Sequence, residues 1–177
     1  GQTLSLEVLA RRIGSPLDPM LRLLDARGRE LAFSDDAPGL AGDSQISHKF
    51  AQAGDYVVEL RDIRYQGGAY RLRIGDFPCV STPYPLAIPR GQATAVTLAG
   101  LDVAGLEPIT ITAPADPTIS SWPVSLKRAG GQSSGFGQVS LVDRPQFLET
   151  EPNNAPEAAN RVELSHDING RFDQRGD

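Results

Sequence analysis

The feature that most constrains this chain is a run of short apolar alternations at a spacing of two, each closed by a polar, Gly or Pro turn. Leu4, Leu6 and Val8 form the first set, Leu21 and Leu23 the second, Leu31 and Phe33 the third. Ile46, His48 and Phe50 follow, then Tyr56, Val58 and Leu60, then Tyr70, Leu72 and Ile74. Period two is the signature of strands with one buried face. With 18 Gly and 14 Pro the chain is interrupted too often for long helices. Asp25-Ala26-Arg27-Gly28 reads as a tight turn with glycine at its last position. The matching patterns at 56–60 and 70–74, with Gly67-Gly68 between them, predict antiparallel neighbours. Five or six such strands imply a sandwich.

Pro78, Pro83 and Pro85 cannot serve in a central strand, so residues 78–85 mark a linker or a sheet edge. The alternation resumes as Val96 and Leu98, Ile109 and Ile111, Val124 and Leu126, Val139 and Leu141. This reads as a second, smaller, immunoglobulin-like sandwich. After Asp143-Arg144-Pro145 the composition turns polar. Residues 155–159 suit a single helical turn, and Val162 and Leu164, then Ile168 and Phe172, predict two further strands. The expected architecture is all-β, with antiparallel sandwich modules of jelly-roll or immunoglobulin-like type in tandem. The expected division is 1–77, 78–146 and 147–177.

Several classes of function lose support at once. The formal charge is −5 and no run of Lys and Arg exceeds two, which disfavours a surface that tracks nucleic-acid phosphates. No apolar stretch approaches the roughly 20 residues of a membrane-spanning helix. Cys79 is the single cysteine, so neither an intrachain disulfide nor a multi-cysteine metal site can form. The strand pattern begins within a few residues of Gly1, as expected of a piece cut from a longer polypeptide.

Particular motifs carry a family resemblance. Glu149-Thr150-Glu151-Pro152-Asn153-Asn154, Ala158, Ile168-Asn169-Gly170 and Gly176-Asp177 resemble the opening of the bacterial pre-peptidase C-terminal domain. Leu17-Asp18-Pro19, Leu23-Leu24-Asp25, Ser34-Asp35-Asp36, Gly54-Asp55-Tyr56 and the strand at 70–74 resemble the rest of that same domain. Residues 1–77 are thus similar to the back of one copy, and 147–177 to the front of a second. The module between them resembles the immunoglobulin-like inserts that alternate with such domains. The resemblance implies β-sandwiches appended to exported bacterial proteins, with localisation secreted, periplasmic or at the cell surface. Because the two parts are complementary, residues 147–177 are expected to dock on 1–77, within one chain or between two, or else to stay extended.

The resemblance also implies a calcium site at Glu149, Glu151, Asn153 and Asn154, completed by Asp177 of the Gly-Asp turn. Carboxylates and amides at this spacing offer the oxygen ligands that a hard divalent ion takes. The competing reading is a solvated linker stiffened by Pro152. Asp35, Asp36, Asp43 and Asp18 form a second acidic group, better explained as polar turns whose side chains bond nearby backbone. Gly131-Gln132-Ser133-Ser134-Gly135 satisfies G-x-S-x-G but lacks the helical pattern a nucleophile elbow needs, and His166 falls in another module. His48 reads as a core-edge residue, and Trp122 as an anchor rather than an exposed platform. Arg175-Gly176-Asp177 spells an adhesion tripeptide and is accounted for by the Gly-Asp turn.

The function expected from these residues is a non-catalytic, modular spacer or presenting segment beside a catalytic domain, with neighbouring domains of its own polypeptide as partners. The rival is an extracellular protein- or polysaccharide-binding module with calcium dependence. An exposed row of aromatics would favour the rival.

Overall fold

The computed structural model describes residues 1–128 and 131–172. It is all-β, built of small, mainly antiparallel sheets compatible with sandwich packing. The chain forms two compact units. One comprises Gly1–Thr82, Leu98–Leu106 and Ser125–Gly137; the other comprises Pro83–Thr97, Glu107–Val124 and Gln138–Asp177. The units are discontinuous in sequence, so their bounds do not coincide with the expected division at 77/78 and 146/147.

In the first unit the six alternating runs become β1 (Thr3–Leu9), β2 (Pro19–Asp25), β3 (Glu30–Ser34), β4 (Gln45–Lys49), β5 (Tyr56–Asp62) and β6 (Arg71–Gly75). They make two three-stranded sheets, β4-β1-β6 and β3-β2-β5. In the first sheet Leu6 lies opposite both Ile46 and Ile74, and Val8 opposite Leu72. In the second, Leu21 faces Leu60 and Leu23 faces Val58. This register puts the even residues of β1 and the odd residues of β2 on one core with Ala10, Leu17 and Ile46. Burying each such side chain stabilises by roughly 1.5–3 kcal/mol. The turn at Asp25 forms as expected: Gly28 N–H reaches Asp25 O at 2.9 Å, and Asp25 Oδ1 accepts from the N–H groups of Arg27 and Arg29.

One expected pairing is corrected. β5 pairs with β2 and β6 with β1, so the two strands lie in different sheets. The Gly67-Gly68 segment is a crossover rather than a hairpin turn, for two local reasons. Asp62 gathers the N–H groups of Arg64 and Gly67 at 3.1 and 2.7 Å, curling the chain on itself. Gly68, at φ +149°, then passes so close to Ser15 and Leu17 that a Cβ there would stand 2.6 Å from Ser15 Oγ.

The later strands are β7 (Cys79–Tyr84), β8 (Ala87–Pro89), β9 (Ala93–Leu101), β10 (Ile109–Thr112), β11 (Ser121–Val124), β12 (Gly137–Val142), β13 (Gln146–Leu148) and β14 (Asp167–Asn169). β7 is the edge of the sheet β10-β9-β7, which satisfies the proline constraint without a linker. In the sheet β11-β12-β8 the contact between β12 and β8 is parallel, as is that between β13 and β14. Ile88, Val96, Ala113, Val124, Val139 and Leu141 are the buried apolar residues of the second unit. Arg90 ties its loops together, donating to Asp116 O, Ile119 O and Leu141 O. Its Nε lies 3.0 Å from Asp143 Oδ1, an ion pair without hydrogen-bond alignment.

The strand expected at Val162 and Leu164 does not form. That stretch is exposed and closes in a turn, while Pro156–Ala158 makes the expected helical turn. Of the last expected strand, only Asp167–Asn169 pairs, and Phe172 is exposed. The side chains of Ile168 and Phe172 are both exposed.

Candidate functional site

The segment expected to bind calcium follows β13. Glu149 N–H bonds Asn169 O at 2.9 Å, which continues the ladder with β14 and fixes the side chain beside Gly170. Its carboxylate is then taken from two sides, Oε1 accepting from Asn153 Nδ2 at 2.7 Å and Oε2 from Arg171 N–H at 2.8 Å. Glu151 Oε2 accepts from Asn153 N–H at 2.9 Å, a local turn bond. Thr150 and Asn160 close the loop behind them through three bonds of 2.9 Å. Glu149, Glu151 and Asn153 are therefore brought together, and Asn154 lies next to them in the chain. Asp177, like the whole tripeptide from Arg175, falls outside the described residues.

As arranged, both oxygens of Glu149 face N–H donors, which an ion would have to displace. Among the described residues, no three His, Cys, Asp or Glu side chains gather in a metal-binding group.

The densest charged constellation lies elsewhere, on the outer face of the sheet β4-β1-β6. Glu7 is 1% exposed; its Oε1 accepts from Arg12 Nη2 at 2.9 Å and Gln45 Nε2 at 3.1 Å, its Oε2 from Arg73 Nη1 at 3.1 Å. Asp43, fully buried, accepts at Oδ1 from the N–H groups of Ala10 and Arg11, and at Oδ2 from Arg12 N–H and Nε. It thereby caps the helical turn Arg11–Ile13. Arg12 also donates to Val8 O and Phe136 O, and Arg73 to Ser133 O at 2.6 Å, with its guanidinium 4.1 Å from the Phe77 ring centre. Buried charges persist only when paired and hydrogen-bonded, and here every carboxylate oxygen is engaged.

The remaining expected residues separate cleanly. Asp18 is paired with Arg11 Nη1 at 2.8 Å and Arg64 Nε at 2.7 Å, while Asp43 is the cap just described, so the second acidic group is structural at both positions. Asp35 is held above the usual carboxylate range, first by desolvation and then by the charges of Asp36 and Asp18. Ser133 is exposed on a loop that bridges to Lys127 and runs into β12, a strand. The strand-to-helix turn of a nucleophile elbow is thus replaced by a loop-to-strand passage. Ser134 is buried, accepting from Leu126 N–H and donating to Gly135 O. His48 is half-buried and meets Phe50 edge-on at 4.9 Å, as a core-edge residue does. Trp122 is half-buried on β11. Burial pushes the Cys79 thiol up to about 11, so it is protonated and unreactive at neutral pH.

Two surface features complete the candidates. The loop between β5 and β6 exposes Ile63, Tyr65 and Tyr70; Tyr65 is 92% exposed at φ +54°. An apolar groove of about 610 Å³ is lined by Leu4 and Leu6 of β1, Leu23 of β2, Tyr56 and Val58 of β5 and Ile74 of β6.

Sequence reasoning missed Glu7, Arg12 and Arg73, because an odd residue in the Leu4, Leu6, Val8 alternation reads as solvent-facing. It also missed Asn169 as an anchor. That side chain is 4% exposed, accepts at Oδ1 from Leu86 and Ala87 N–H and donates from Nδ2 to Gln146 Oε1; its backbone O takes the Tyr84 hydroxyl. No helix among the described residues is long and apolar enough to cross a membrane. Comparison with family models, with curated proteins and with solved structures finds no match to this chain.

Proposed function

We propose that this chain is a non-catalytic modular segment of an exported bacterial protein, a stiff spacer that presents or stabilises a neighbouring catalytic domain of the same polypeptide. The observation that supports this reading is the engagement of its buried carboxylates. Glu7 and Asp43 hold every oxygen on arginine, glutamine or backbone N–H, so they serve to lock loops onto the sheet rather than to meet a substrate. A general acid or base instead needs a proton-accepting position within reach of a bound substrate. The test is an activity survey of the full chain against ester, peptide and glycoside reporters, with Ser133→Ala as control. Turnover that disappears in Ser133→Ala would overturn the reading.

A second reading, an extracellular adhesion module for protein or polysaccharide, is favoured by Tyr65. A tyrosine held at positive φ and left almost wholly in solvent is a costly placement, and such strain clusters at binding sites. Calcium enters this reading only through rearrangement. Glu149 would exchange Asn153 Nδ2 and Arg171 N–H for the ion, with Glu151, Asn154 and Asp177 as further ligands. Binding would then fall in the weak range of extracellular modules, about 10⁻⁴–10⁻³ M. Adsorption that is lost in a Tyr65→Ala, Tyr70→Ala double variant would establish the second reading over the first.

A further inference from the structure

Among the described residues, the chain carries an unfilled strand position and, separately, a strand-patterned segment with no strand to join. The unfilled position is the edge of β6. Its inner face places Leu72 against the core and leaves Ile74 53% exposed over the groove, while its outer face carries Arg71 and Arg73. An edge strand presents a row of backbone N–H and C=O groups to whatever extended chain arrives. The unattached segment is Arg161-Val162-Glu163-Leu164-Ser165, all of it exposed, with Leu164 at 96%. The segment closes in a turn in which His166 N–H donates to Glu163 O at 3.4 Å.

We propose that residues 161–164 of one copy add as a strand to β6 of a second copy, with Val162 and Leu164 filling the groove. These four residues can span most of the five of β6, and Ser165, at φ +76°, turns the chain out of the strand after them. The period matches as well: with Val162 and Leu164 on the inner face, Glu163 falls on the outer face, beside the exposed Arg71, while Arg73 stays with Glu7 and Ser133 O. Opposite charges on neighbouring strands stabilise pairing, whereas two copies of β6 meeting edge to edge would oppose arginine with arginine. This is strand addition, in which backbone bonds supply affinity and alternate side chains supply register. Because donor and acceptor are different surfaces, the contact is head-to-tail and can extend beyond a dimer.

Sedimentation velocity of the full chain, from about 10 to 500 μM, tests this by ordinary mass action. The expected result is association that grows with concentration into dimers and longer species. Leu164→Asp should weaken it at least about tenfold, as expected for losing a buried leucine. Since Leu164 is exposed, that variant should melt like the parent. Ile74→Asp should likewise be monomeric, and an equimolar mixture of the two variants should give dimers that cannot lengthen, since one retains the groove and the other the strand. Should Ile74→Asp fail to fold, Glu163→Arg should weaken association and the added Arg71→Glu should restore it. A chain that stays monomeric throughout, or association unchanged by Leu164→Asp, would overturn the proposal.

Discussion

Glu7 Oε1 occupies the space that a Cβ on residue 135 would need, so that Gly135 is the only residue able to pass over the buried carboxylate. The chain at 133–136 is pulled onto the sheet by the same cluster, through Arg73 to Ser133 O and Arg12 to Phe136 O. Gly135→Ala should therefore cost about 1–3 kcal/mol, the usual scale of overpacking. Arg12→Met should cost more, about 3–5 kcal/mol, because it removes the arginine that both buried carboxylates share, leaving Glu7 on Arg73 and Gln45 and Asp43 on backbone N–H groups. Urea denaturation of each variant checks both values, and a loss under about 0.5 kcal/mol for Arg12→Met, the size of an ordinary surface substitution, would mean the cluster is not a lock.

Asn169 should behave as a hub of the second unit. Asn169→Ala leaves the N–H groups of Leu86 and Ala87 without their acceptor and frees Gln146, an expected cost of about 2–3 kcal/mol. Asn169→Asp keeps an acceptor for the two N–H groups but turns an oxygen toward Gln146 Oε1, and should lose less. Hydrogen exchange of the Leu86 and Ala87 amides reads this directly, with protection falling in the alanine variant.

Much of this was legible from the alternation alone. The six strands β1 to β6 fall where the period-two runs lie, because each buries one face against a partner with the same period. Pairing was less legible, since Gly67-Gly68 carries a hairpin signal and only the contacts of Asp62 and Gly68 redirect the chain. Glu7 was illegible for a different reason. Its face of the sheet is covered by segments some 70 to 130 residues away, around Phe77, Val80 and Gly135, and no local pattern announces a cover so distant. A list of the oxygen-bearing residues at 149–154 does not reveal that Glu149 already faces two N–H donors.

Asp62 should contribute to acid sensitivity alongside Asp25 and Asp116, whose carboxyls are also lowered. Desolvation pushes the Asp62 carboxyl up, but the N–H groups of Asp18, Gly67, Arg64 and Gln66 outweigh it, leaving the folded value below the ordinary 3.8. A folded value lower than the unfolded one means stability that is present above about pH 4 and is lost as pH falls through the folded value. Asp62→Asn should flatten the fall of the melting temperature between pH 5 and pH 2. Asp35 has the opposite sign: its raised value favours the fold at low pH, so Asp35→Asn should stabilise slightly at pH 7. An unchanged acid limb in Asp62→Asn would count against the bonding described for the loop.

Cys79 should be silent in the native chain. With its thiol fully buried and raised to about 11, a thiol-specific disulfide reagent at pH 8 should label it only at the rate of unfolding, and at once in denaturant. Rapid stoichiometric labelling without denaturant would show that the segment around β7 opens freely.

The spacer account is tested most directly by fusing the chain to a reporter hydrolase and measuring kcat/KM on a small soluble substrate and on an insoluble polysaccharide or collagen carrying the same scissile bond. The account predicts equal kcat/KM with and without the chain on both substrates, together with a longer half-life of the fusion at elevated temperature. A selective gain on the insoluble substrate that vanishes in the Tyr65→Ala, Tyr70→Ala variant would contradict it and make the chain a binding module.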